Sequence, residues 1–217
     1  MSKPYIEQRL KFTEDTILDE EGNAVMMDWE DSIMQVQAET ICRNGGDILN
    51  VGFGMGIIDN YIQYHNPRTH WIIENHPDVQ AKMVKDGWLK KPHVRCIFST
   101  WQKVVNYLPK FDGVYWDTWE ESPEQFLQAV PSILKPNGIF TFFNNPRNEL
   151  NNDESVRLMH PDNYAHLSPF FDIKYNYFDI PEEIAPLGKQ RTDNQYYWHP
   201  TETRYYNPIC TLKQELK

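Results

Sequence analysis

Asp47-Ile48-Leu49-Asn50-Val51-Gly52-Phe53-Gly54-Met55-Gly56-Ile57-Ile58-Asp59 is the stretch that decides how this chain folds. Its apolar start has the length of a short buried strand, and the alternating glycines that follow permit a sharp turn and a close backbone approach to a ligand. From Ile57 the pattern becomes that of a helix, whose first unpaired N–H groups face an anionic or polar group lying on the turn. Glu74 follows 22 residues after Gly52, at the end of a second apolar run, His70-Trp71-Ile72-Ile73. An acid at that place commonly accepts hydrogen bonds from a ribose diol. Strand, glycine turn, helix and acid together indicate a nucleoside cofactor.

Outward from this stretch, strand and helix patterns alternate. Asp31 or Ser32 is placed to cap a helix running to about Cys42, with Gly45 past its end. Residues 57–64 read as a helix, 71–73 as a second strand, and Pro77 opens a helix that ends before Gly87. A third strand at 94–98, a helix at 102–108, a fourth strand at 114–116 and a helix at 123–134 follow. Lys135-Pro136-Asn137-Gly138 reads as a turn before a fifth strand at 139–143. Residues 171–178 and 205–212 read as two more strands, paired antiparallel at one edge, and the polar 144–153 as a loop. The first 24 residues read as an extended arm or short cover. The expected fold is α/β, a doubly wound, mostly parallel seven-stranded sheet with an antiparallel edge pair. One domain spans 1–217, with 1–46 as arm and covering helix, 47–143 as cofactor-binding core, and 144–217 as substrate-side loop and C-terminal strands. Ligands of such sheets bind outside the carboxyl ends of the strands, so Gly52–Gly56, Glu74, Asp117 and Asn144 should converge.

The bulk composition narrows the function. With 217 residues and 40% hydrophobic content, the chain can bury one core without staples. Its three cysteines, Cys42, Cys96 and Cys210, stand in no paired spacing, which points to a reducing compartment and away from disulfides or zinc. The polar, mixed-charge N-terminus carries no secretory signal, and no apolar run approaches the roughly 20 residues of a membrane span. A cytoplasmic protein without a membrane partner is the default. Acids outnumber bases 31 to 21, for a net charge of −10. That balance disfavours nucleic acid as a partner and suits a cationic substrate, although it also serves solubility. The histidines show no metal-ligand spacing, so no metal is expected.

A dinucleotide fingerprint requires a third glycine where Ile57 stands. The spacing Gly52-x-Gly54-x-Gly56 is instead that of S-adenosylmethionine-dependent methyltransferases. Val25-Met26-Met27-Asp28-Trp29-Glu30, the glycine stretch and Trp71-Ile72-Ile73-Glu74 resemble the guanidino-group N-methyltransferases. Phe111-Asp112-Gly113-Val114-Tyr115-Trp116-Asp117-Thr118 and Leu134-Lys135-Pro136-Asn137-Gly138 extend the resemblance. That family includes guanidinoacetate N-methyltransferase and the fungal-type arginine delta-N-methyltransferases; Asp19–Met27 and Asn207–Leu212 are more similar to the arginine branch. The resemblance implies S-adenosylmethionine as cofactor and arginine, free or in a protein, or a small guanidino acid as acceptor. It places Met26 and Met34 against the cofactor, and Phe53, Gly54, Met55, Gly56, Ile57 and Ile58 along its methionine portion. It sets Glu74 on the ribose with Asn75 and His76 nearby, and Thr100 and Trp101 beside the adenine. Trp101 reads equally well as core packing.

The resemblance also makes Glu30 and Asp117 the carboxylates that hold the guanidino group, with Asp117 bordering the cofactor as well. A guanidinium is planar, permanently charged and a poor nucleophile, because its lone pairs are delocalised. One carboxylate can neutralise its far edge while another draws a proton from the reacting nitrogen. Asp117 is assigned to the reacting nitrogen and Glu30 to the other edge, and the sequence leaves the two roles interchangeable. Asn144 and Asn145, after the fifth strand, are candidate substrate contacts, with a plain connector as the alternative. Tyr196-Tyr197-Trp198 with Tyr205-Tyr206 reads as sheet-edge packing or as a cation–π wall. A nucleic-acid methyltransferase and a non-catalytic cofactor-binding subunit are the competing readings; the charge opposes the first and the retained Glu30 and Asp117 the second.

Overall fold

A computed structural model describes residues 3–119, 124–144, 159, 161–180 and 204–214. Short strands β1 (Lys11–Phe12), β2 (Thr16–Leu18) and β3 (Ala24–Met27) precede helix α1 (Asp31–Cys42). Strand β4 (Asp47–Val51), helix α2 (Ile57–Tyr64), strand β5 (Thr69–Glu74) and helix α3 (Pro77–Lys85) follow. Next come β6 (Val94–Phe98), α4 (Trp101–Val104), β7 (Phe111–Trp116), α5 (Glu124–Ile133) and β8 (Leu134–Phe142). The described chain closes with α6 (Pro161–Leu167), β9 (Phe171–Asp179) and β10 (Arg204–Leu212).

Seven strands make one sheet in the order β6-β5-β4-β7-β8-β10-β9. The first five are parallel, and β10 runs antiparallel between β8 and β9. Both faces of the central strands are apolar because helices cover both. On one face Ile48 packs with Met34, Ala38 and Ile41 of α1 and Ile58 and Ile62 of α2. On the other, Leu49, Val51 and Val114 join Trp101, Phe126, Leu127 and Val130. This is the doubly wound architecture read from the alternation, and its strand order reverses beside β4. The carboxyl ends of β4, β5 and β7 therefore open a crevice where the glycine turn stands. Among the described residues no helix is long and apolar enough to cross a membrane.

Four local expectations change. The N-terminal arm is a three-stranded antiparallel sheet, β1-β2-β3, whose last turn is closed by Asp19 accepting from the amides of Glu21 and Asn23. Strands of two to four residues are too short to show alternation in the sequence. Neither Asp31 nor Ser32 caps α1; a 3-10 turn, Asp28–Glu30, runs straight into it, and the Asp31 amide donates to the Asp28 carbonyl. The helix expected at 102–108 begins at Trp101 and tightens into a 3-10 turn at Val105–Tyr107. Lys135–Gly138 lies within β8 rather than before it. Leu134 already pairs with Phe111, and the ladder resumes at Gly113 with Ile139, so the four residues bulge out opposite Asp112. There the Lys135 ammonium reaches Asp112 at 2.6 Å and Asp47 at 3.1 Å, which holds the bulge in place.

Candidate active site

The glycine turn is built from the protein's own crossings. Gly52 has φ +97°, and a Cβ there would stand 1.8 Å from the Asp117 carbonyl oxygen. Its amide donates to Ile73 at 2.9 Å, and the Asp117 amide donates to Val51 at 2.9 Å, so three strand ends are tied at one point. Gly54, at φ +54°, would drive a Cβ to 2.5 Å from the Met26 sulfur, which accepts from the Met55 amide at 3.1 Å. The glycines thus make room first for neighbouring main chain and side chains, beyond the room they leave for a ligand.

An open cavity lies above this turn, its empty space of about 800 Å³ running out into solvent. Met26, Met34, Phe53, Gly54, Ile58, Glu74, Asn75, Thr100, Trp101 and Asp117 line it, all of them positions singled out from the sequence. Met55, Gly56, Ile57 and His76 are not among its lining residues, nor are Glu30 and Asn144. Among the described lining residues two are acids, Glu74 and Asp117, and none is Lys, Arg or His.

Glu74 ends β5 with its carboxylate caged by main chain. One oxygen accepts from the Phe53 amide at 2.9 Å and the other from the His76 amide at 2.7 Å. Burial raises its pKa, and these amide donors oppose the rise. His76 itself is fully buried as the N-cap of α3: its Nδ1 accepts from the Asp78 amide at 3.2 Å, and its Nε2 faces the Tyr5 carbonyl at 3.1 Å. Trp101 belongs both to the core and to the cavity wall. It packs edge-on against Phe126 with centroids 5.1 Å apart, and it also borders the cavity.

Asp117 leaves the end of β7 without a cationic partner among the described residues. Burial pushes its pKa up to about 7, opposed by the Tyr115 hydroxyl, which lies 3.4 Å from Oδ2. The same hydroxyl lies 3.4 Å from the Met34 sulfur. Glu30 is fully buried, with Oε1 accepting from the Met27 amide at 2.8 Å. Tyr205 connects the two carboxylates: its phenol pKa is raised chiefly by burial and further by the charges of Asp117 and Glu30. Its oxygen accepts from Gln37 Nε2 and from the Asn144 amide, each at 2.8 Å. The Asn144 side-chain amide in turn donates to the Tyr206 carbonyl at 2.8 Å, so it is engaged in joining β8 to β10. Asn145 and the Tyr196-Tyr197-Trp198 cluster lie outside the described residues.

The sequence reading missed Tyr5, Ser99, Tyr115, Thr118 and Trp119, all of which line the cavity. Tyr115 was within reach, since it lies two residues before Asp117 and strand residues two apart share a face. Tyr5 had no such signal, because only the folding back of the N-terminal arm brings it there.

A sequence profile described as guanidinoacetate N-methyltransferase matches residues 6–155. Protein arginine N-methyltransferase 2 of Candida glabrata is 36% identical over 214 residues, covering 90% of this chain and 51% of that protein. The protein of the same name from Saccharomyces cerevisiae is 42% identical over 154 residues, covering 64% of this chain and 37% of its own length. The chain thus spans about half the length, or less, of these curated relatives. Among solved structures, TYW2 of M. jannaschii in complex with AdoMet superposes with a TM-score of 0.58 at 13% identity, over 98% of this chain and 87% of that one. At that identity the likeness concerns the fold alone.

Proposed function

The chain belongs to the guanidinoacetate N-methyltransferase family, and from that premise we propose that it transfers a methyl group from S-adenosylmethionine to a guanidino nitrogen. The observation that carries this reading is the cavity wall: a buried and a half-buried carboxylate, Glu74 and Asp117, and among the described residues no cationic side chain. Carboxylates at a cavity wall with no cationic neighbour favour a positively charged ligand, because an opposite charge helps offset their desolvation. The cofactor supplies an electrophilic methyl on a sulfonium, and the acceptor is a guanidinium, so both ligands bring positive charge.

On this reading Glu74 binds the ribose, and the main chain of Phe53 and Gly54 borders the methionine portion. Thr100 and Trp101 border the adenine, with Asn75 beside them. Asp117 accepts the proton of the reacting nitrogen, which localises its lone pair for in-line attack, and Glu30 grips the far edge of the guanidinium. With its pKa near 7, Asp117 sits where a general base is effective at neutral pH. Residues 1–46 cover the site, 47–143 hold the cofactor, and 144–217 face the acceptor. The relatives' names favour arginine, free or within a protein, over a small guanidino acid. The excess of acids disfavours nucleic acid as acceptor, and the three free cysteines suit the cytoplasm.

The test is incubation with methyl-labelled S-adenosylmethionine and free arginine, guanidinoacetate, an arginine-rich protein or RNA in separate reactions. Label is expected in arginine, free or peptidyl. Label in RNA alone, or tight cofactor binding without turnover on any acceptor, would end this reading.

A further inference from the structure

Beneath the glycine turn lies a buried group that takes no part in lining the cavity. Asp59 is the third residue of α2 and fully buried. Asn50, on β4, directs its Nδ2 at both carboxylate oxygens, 2.9 Å from each. Asn50 Oδ1 is left buried with no hydrogen-bond partner. An amide gives up its own acceptor in this way where the group it faces is a pure acceptor, that is, an ionised carboxylate. His70 Nε2 lies 3.0 Å from Asp59 Oδ1 but is poorly aligned for a hydrogen bond. Its Nδ1 faces Gln63 Nε2 at 2.9 Å. Among the described residues no Lys or Arg pairs with Asp59; the basic side chain beside it is His70, 3.0 Å away.

Along the chain Asp59 and Asn50 are each next to the cavity wall. Asn50 precedes Val51 and Gly52, Asp59 follows Ile58, and Val51, Gly52 and Ile58 all line the cavity. A helix N-terminus alone carries about half a positive charge and attracts anions. A full negative charge in its first turn more than reverses that preference. We propose that Asp59 is a positioning residue that turns the glycine loop from an anion-attracting site into one favouring a positively charged ligand. This inference rests on the cofactor reading above and extends it: the loop distinguishes the sulfonium of the methyl donor from the neutral thioether left after transfer. A unit charge at about 10 Å, in an effective dielectric of about 20, changes affinity about tenfold.

The experiment measures affinities by calorimetry for S-adenosylmethionine and S-adenosylhomocysteine, ligands of nearly equal shape that differ in charge. Asp59→Asn is expected to weaken the sulfonium ligand about tenfold and the thioether less than about threefold. The exchange variant Asn50→Asp/Asp59→Asn keeps one carboxylate and one amide at the same place, and restores the wild-type ratio of affinities. An unchanged ratio in Asp59→Asn, whether both ligands weaken equally or neither does, overturns the proposal and leaves Asp59 a packing residue. If Asp59→Asn does not fold, an exchange variant that folds with a ratio tenfold from wild type overturns it as well. Wild-type protein that binds neither ligand removes the cofactor reading itself, and is distinguishable from both.

Discussion

The two ends of the sheet hold the same residue types in opposite electrostatic states. At the amino ends of the strands, Asp47 of β4 is gripped by Arg68, by Thr69 at 2.8 Å and by Lys135 at 3.1 Å. Those donors hold its carboxyl far below the usual carboxylate range. Asp112 of β7 shares the Lys135 ammonium and accepts from the Asp47 amide at 2.7 Å. At the carboxyl ends, Glu74 and Asp117 have amides and a phenol for company, and burial raises both. One end supplies its own cations and is a clamp. The other has no such cation among the described residues, and on the proposed function the bound ligands bring the positive charge.

The largest expected difference is in turnover. Asp117→Asn should lower kcat/KM for the guanidino acceptor by about 10³-fold, within the 10²–10⁴ range of a lost general base. Asp47→Asn should leave kcat/KM within about threefold, since it lies at the far end. Labelled-methyl kinetics measure both. An Asp117→Asn enzyme with full activity would remove Asp117 from the mechanism and erase the contrast.

Stability should move in opposite directions at the two ends. Asp117 has a folded pKa raised from 3.8 to about 7, so its contribution is fully present below about pH 4 and lost as pH rises through 7. At pH 8 the ligand-free protein carries this half-buried charge, and Asp117→Asn should stabilise it by about 1 kcal/mol, after allowance for solvent screening. Asp47 has a lowered pKa, so its contribution holds above pH 4 and disappears on strong acidification. Asp47→Asn should cost about 1 kcal/mol at pH 8, because its partners are partly exposed. Urea unfolding of the two variants checks the signs, and like signs would break the comparison.

The smallest effect sharpens it. Because the Tyr115 hydroxyl holds the Asp117 carboxyl down, wild-type kcat/KM should fall as pH drops below about 7. Tyr115→Phe should move that limb to higher pH, with a few-fold loss near neutrality and almost none at pH 9. A pH profile unchanged in Tyr115→Phe would mean that burial alone sets the carboxyl.

The sequence by itself determined the parts whose cause is local. A strand buried on both faces must be apolar throughout, a sharp turn at positive φ wants glycine, and alternation of period 2 and 3.6 marks strand and helix. From these came the doubly wound sheet and the turn at Gly52–Gly56, and the position of Glu74 and Asp117 at strand ends followed. The resemblance added Met26, Met34, Thr100 and Trp101, which line the cavity, and Glu30, which is fully buried and does not line it. What only the tertiary structure decided depends on who meets whom. That Gly52 clears the Asp117 carbonyl, that Tyr5 reaches the cavity from the arm, and that Tyr205 sits within the fields of Glu30 and Asp117 are contacts between distant segments. So is the fate of each acid: Asp47 and Asp117 are the same residue in the sequence, and burial and neighbours alone make one a clamp and the other a site.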